Sequence, residues 1–111
     1  MEERIPTEIW LTAQMRQGHA DGTPVFLRRR GEPRAGSVLV KINLMGSGCR
    51  VLTQVRDGLG RLGWMSALGE ALATEADADA YIERAVKRDP DLWVVEVESR
   101  DGRHPFEVGR A

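Results

Sequence analysis

The 111-residue chain carries 41% hydrophobic residues and a formal net charge of −1 at pH 7, a balance that excludes disorder and fits one domain with a two-layer core. No run of about 18 apolar residues is present to span a membrane, and the acidic opening Met1-Glu2-Glu3-Arg4, with no apolar segment behind it, does not read as a signal peptide. The single cysteine, Cys49, cannot form an internal disulfide, which points to a reducing cytoplasm.

Thr7 is placed to cap a first helix, with Glu8 in the first turn where a negative charge suits the helix dipole. Its apolar side is loose (Ile9, Trp10, Leu11, Ala13, Met15), and the stretch Gly18 to Gly22 closes it, with His19 as a helix-end cation. Val25 to Arg30 reads as a first strand, with Val25 and Leu27 inward and Phe26, Arg28 and Arg30 outward. Pro33 and its flanking glycines exclude regular structure between 31 and 36.

A hairpin follows. Val38, Val40, Ile42 and Leu44 alternate with Leu39, Lys41 and Asn43, and Cys49, Val51, Thr53 and Val55 alternate with Arg50, Leu52, Gln54 and Arg56. Folded about a four-residue loop, Met45 to Gly48, it pairs Leu44 with Cys49, Ile42 with Val51, Val40 with Thr53 and Val38 with Val55. One face is then apolar and the other polar. After a turn at Asp57 to Arg61, Leu62 to Leu68 reads as the next strand, in the register that sets Trp64 against Val55 and takes the indole into the core.

Thr74 caps a second helix, with Asp77 three residues on in the manner of a capping box. Ala78, Tyr81, Ile82 and Ala85 form its buried stripe, Glu83 and Lys87 pair on the wet side, and Pro90 ends it. Leu92 to Glu98 is the strongest strand; both of its faces are apolar at the start, which places it inside the sheet. Arg100 to Arg103 is a turn, and the polar end at 105–111 is expected to fray. The order α-β-β-β-β-α-β defines an α+β single domain over 1–111 with its ordered core at 5–104. It has a largely antiparallel sheet of four or five strands and both helices on the apolar face. Trp64, Trp93, Ile82, Val40 and Val95 are expected to be buried together.

Four segments carry a family likeness: Pro6-Thr7-Glu8-Ile9-Trp10, Val38-Leu39-Val40-Lys41-Ile42-Asn43, Asp57-Gly58 with Gly60-Arg61-Leu62-Gly63-Trp64-Met65, and Arg88-Asp89-Pro90-Asp91-Leu92-Trp93-Val94-Val95-Glu96. Over about Arg4 to His104 the chain resembles a family of short bacterial proteins catalogued as domain of unknown function 1491. The resemblance implies a small soluble bacterial protein and carries no reaction, ligand or partner to transfer.

The residues point to binding more than to catalysis. His19 and His104 are far apart and Cys49 stands alone on an inward position, so no metal site and no cofactor is expected. Gly46-Ser47-Gly48 and Gly58-Leu59-Gly60 are hairpin turns that lead no helix and so make no phosphate cradle. Asp57, Asp101 and His104 would make an acid/base site if their turns met at one end of the sheet. Charge is unevenly spread: eight basic residues face two acids between Arg28 and Arg61, and ten acids face four basic residues between Glu70 and Asp101. Either the two halves neutralise each other or a basic sheet face meets an anionic partner. That face would carry Arg28, Arg30, Lys41, Arg50 and Arg56. The expected function is a non-enzymatic interaction module, a homodimer or an accessory subunit. RNA binding is the first alternative, though a pI of about 6.1 is low for it; a small enzyme is the second.

Overall fold

Apolar residues on both faces of a strand require cover on both sides, and that requirement sets the architecture. The computed structural model describes residues 5–56, 58–60 and 62–106. Its elements follow the expected order: α1 (Thr7–Ala20), β1 (Val25–Arg29), β2 (Val38–Asn43), β3 (Cys49–Arg56), β4 (Leu62–Ser66), α2 (Glu75–Arg88) and β5 (Trp93–Glu98). The five strands form one sheet in the order β1-β5-β2-β3-β4. All neighbours are antiparallel except β2 and β5, which run parallel. β5 lies inside the sheet, as its two apolar faces require.

The two helices do not share a face, contrary to the sequence expectation. Leu11 of α1, with Trp10 and Met15, packs on Val38, Val40, Ile42, Trp93, Val95 and Val97. Ala78 and Ala85 of α2, with Tyr81, Ile82 and Val86, pack on Leu39, Cys49, Val51, Leu92 and Val94. Strand residues of odd and even parity therefore meet different helices. The central strands β2 and β5 are buried at nearly every position, so one covered face would leave Leu39 and Val94 in water. Trp93, Val40 and Val95 share a core against which Trp64 packs, but Ile82 lies on the other side of the sheet.

Both hairpins are shifted by one residue from the expected register. Ile42 stands opposite Arg50 and Lys41 opposite Val51, closed by a five-residue turn in which Leu44 N–H donates to Gly48 O (2.9 Å). Met45 (φ 57°), Gly46 (112°) and Gly48 (123°) all adopt positive φ there, a conformation the two glycines make available. The slip moves Cys49, Val51 and Thr53 to the α2 side while Val38, Val40 and Ile42 stay on the α1 side. Likewise Trp64 pairs with Gln54, not Val55, and still reaches the α1-side core, 6.4 Å from the Trp10 ring and 5.9 Å from Phe106. Phe106, at the start of the stretch expected to fray, is fully buried there. In β1, Val25 is buried but Leu27, expected inward, is 44% exposed at the sheet edge.

Thr74 Oγ1 accepts from Asp77 N–H (3.0 Å) and caps α2 as expected. α1 starts differently: Thr7 and Glu8 N–H donate to Arg34 O (2.9 Å) and Pro33 O (2.8 Å), and Thr7 Oγ1 donates to Gly36 O (2.9 Å). The loop at 31–36 thus supplies the cap that the side chain of Thr7 was expected to supply. That loop is pressed onto β5's entry: a Cβ at Gly36 would stand 2.4 Å from Asp91 O, so the position holds only glycine without backbone movement.

Candidate binding groove

The four arginines and one lysine expected to share one basic face are dispersed. Lys41 is the clearest correction. It keeps the face opposite Val40, but α2 covers that face, so Lys41 is fully buried; its Nζ donates to Asp79 Oδ1 (2.7 Å) and Glu75 Oε2 (2.9 Å) and stands 3.7 Å from Glu96. Burial pulls its pKa down, but the hydrogen bonds to Asp79 and Glu75 and the charge of Glu96 more than offset this and raise it above the usual lysine value. Arg28 pairs with Glu96, which also accepts from Asn43 Nδ2 (3.2 Å). Arg30 pairs with Glu8 and lies over the Trp93 ring, 5.4 Å from its centroid. Arg50 Nη1 donates to the Glu70 carbonyl at 3.4 Å. At Lys41 and Arg28, then, the basic middle and the acidic last third do pack together and neutralise each other.

Arg56 has a different setting. The β2–β3 ladder ends at Leu39 and Thr53, and beyond it the chain at 34–37 diverges from β3. Gln54 Oε1 accepts the Val38 N–H (2.8 Å) that the departing strand no longer pairs. The divergence opens a groove of about 740 Å³ between the start of α1, the 34–37 segment, the end of β3 and the turn at 58–60, within the usual size range of ligand sites. Ile5, Trp10, Val55, Leu59 and Leu62 supply its apolar lining; Arg34 and Arg56 are its charged residues, with no carboxylate among the described lining. Arg56 Nη1 donates to Gly60 O (2.7 Å), fastening the turn to the wall. Arg34 is held from its backbone: Glu32 accepts Ala35 N–H (2.7 Å) and Arg34 N–H (3.1 Å), bonds that lower the Glu32 pKa and keep it ionised. Arg34 was counted in the basic stretch but not assigned to the site, because it sits in a loop whose path no alternation predicts. Trp10 was read only as helix core.

The acid/base group does not assemble among the described residues, and Asp57 lies outside them. Asp101 accepts from Ser99 Oγ (3.0 Å) and Arg103 N–H (3.1 Å), and the Arg103 N–H above all lowers its pKa. His104 Nδ1 accepts Phe106 N–H (3.2 Å). Each serves its own turn. Cys49 is buried beneath α2 and burial raises its thiol pKa, which makes it a poor nucleophile. No helix of the described residues is long and apolar enough to cross a membrane.

A five-stranded mixed sheet with one helix on each face, and an arginine-lined groove where two strands part, defines a small α+β protein in which no catalytic constellation assembles among the described residues. Residues 5–107 match the family model described as "Protein of unknown function (DUF1491)", and the chain belongs to that family. It is similar to a DUF1491 family protein from Caulobacter crescentus CB15 solved by crystallography at 1.87 Å (39% identity, 95% of this chain and 98% of that one, TM-score 0.84). It is similar also to a DUF1491 family protein of the same organism solved by NMR (38% identity, 99% and 100% coverage, TM-score 0.82). The solution structure of Atu0922 from A. tumefaciens shares the fold at 22% identity (87% of each chain, TM-score 0.73). No curated protein matches the chain.

Proposed function

We propose that the protein is a non-enzymatic interaction module whose groove receives an acidic segment of a protein partner. One observation carries the reading: Arg34 from the 34–37 segment and Arg56 from the end of β3 line a groove together with Ile5, Trp10, Val55, Leu59 and Leu62, with no carboxylate in the described lining. A partner segment with alternating acidic and apolar side chains matches that surface, its carboxylates on the guanidinium forks and its apolar groups on Trp10 and Leu62. Charge would speed encounter and apolar contact would hold the complex. The basic surface is thus narrower than a whole sheet face, with Arg56 its member from the original five.

A synthetic peptide of alternating Glu and Leu tests this by NMR titration. Shifts at Trp10, Ser37 and Gln54 that weaken with added salt and vanish in an Arg34→Glu/Arg56→Glu double variant are the expected result. Shifts that persist in the double variant overturn the groove. A single-stranded RNA oligonucleotide that binds the groove while the peptide does not would replace the partner with RNA.

A further inference from the structure

The sheet has two open edges, and they are built differently. β1 carries Arg28 and Arg29 with Arg30 just beyond, and its register is broken between Leu27 and Arg29. Charges and a bulge are the usual guards against a second chain pairing there. β4 has no such guard. Leu62, Gly63, Trp64, Met65 and Ser66 include no charge and no proline, and their pairing with β3 is regular. The Ala67 N–H donates to Val51 O (2.8 Å). By the alternation of an antiparallel ladder, the N–H and C=O groups of Leu62, Trp64 and Ser66 then point away from β3, outward from the sheet.

We propose that β4 pairs with β4 of a second copy of this chain, antiparallel about a two-fold axis through Trp64, to form a continuous ten-stranded sheet. The pairing is self-complementary, as a two-fold interface must be. Trp64 opposes Trp64, and Leu62 opposes Ser66 of the second copy, so each outward backbone group finds a partner. Gly63 opposes Met65. Met65 is 54% exposed, and Gly63 has open space where a side chain would stand, bounded by Val55 at 4.0 Å. Each Met65 therefore covers the other copy's Gly63 and its 37%-exposed Val55, twice by symmetry. Charge agrees with this arrangement. No like charges meet along the strands, and the Leu62 end, beside Arg56, approaches the Ser66 end, which leads to Glu70. The pairing does not depend on what the groove binds: it rests on the β4 backbone and Met65, which do not line the groove, although Val55, Arg56 and Leu62 border both.

Light scattering after size exclusion, from about 10 μM to about 1 mM protein, reads the equilibrium by mass action. The mass should rise with concentration toward twice the 12.4 kDa of one chain. Met65→Lys places a guarding charge at an exposed position and should raise the dissociation constant at least about tenfold. Leu27→Lys, on the β1 edge, should leave it unchanged. Amide exchange at Leu62, Trp64 and Ser66 should slow as concentration rises. A constant single-chain mass, a dimer that Met65→Lys leaves intact, or three amides whose exchange ignores concentration would each overturn the pairing.

Discussion

Lys41 Nζ donates to Asp79 Oδ1 at 2.7 Å from beneath α2, so the buried end of a sheet lysine ties the helix's first turns to the strand layer. Removing one member of such a group is costly mainly for what it leaves unpaired. Glu75 and Asp79 keep 60% and 46% of their side-chain exposure and can rehydrate, whereas Glu96 at 10% cannot and would depend on Arg28 and Asn43. Lys41→Met should therefore cost about 1–2 kcal/mol in urea melts, while Lys41→Glu, which adds a buried carboxylate among three others, should cost about 3–5 kcal/mol or prevent folding. Equal losses for the two variants would show that the ammonium does not organise the group.

Two of the three tryptophans of the α1-side core, Trp93 and Trp64, offer a paired test. Trp93 Nε1 donates to Glu32 O (2.8 Å), but Trp64 Nε1 is buried with no partner among the described residues. Phenylalanine at 93 orphans a carbonyl, whereas at 64 it removes an orphaned donor. Trp93→Phe should be the more destabilising by about 1 kcal/mol or more in denaturant melts. Trp93→Ala should cost about 3–5 kcal/mol, the range for a buried large aromatic. Equal costs for the two phenylalanine variants would mean that the Glu32 bond contributes nothing.

Acid stability should depend on Glu32. The Ala35 and Arg34 N–H groups, in that order of importance, lower its pKa below the ordinary 4.5. A depressed folded-state value means that the stabilisation is complete above the unfolded pKa and is lost as pH falls through the folded one. Melting temperature should thus fall with acidification below about pH 4.5, and Glu32→Gln should flatten that fall while lowering the plateau at neutral pH. An acid limb of the same slope in the variant would assign it to other carboxylates, Asp101 first among them.

Much of the architecture was legible in the chain because it rests on local rules. Periodicity placed all seven elements, Thr74 and Pro90 bounded α2, and the doubled apolar face of 92–95 put β5 inside the sheet. The same doubled face in Val38-Leu39-Val40 should have placed the helices on opposite sides, but the alternation of the β2–β3 hairpin was read as one apolar and one wet face. Register was illegible for a narrower reason: the same residues suit a turn of four or of five, and a side-chain period of two converts that one-residue difference into a change of face.

By itself, the sequence determined which segments are helix and strand and which family the chain belongs to, since hydrophobic period, caps and turn residues act over a few positions. Only the tertiary structure decided what the charged groups do. Lys41 meets carboxylates 34 and 38 residues further on, and Arg34 and Arg56 come together because one strand ends its ladder early. Those are contacts between distant segments, and their partners are chosen by how the layers pack, which no local pattern encodes.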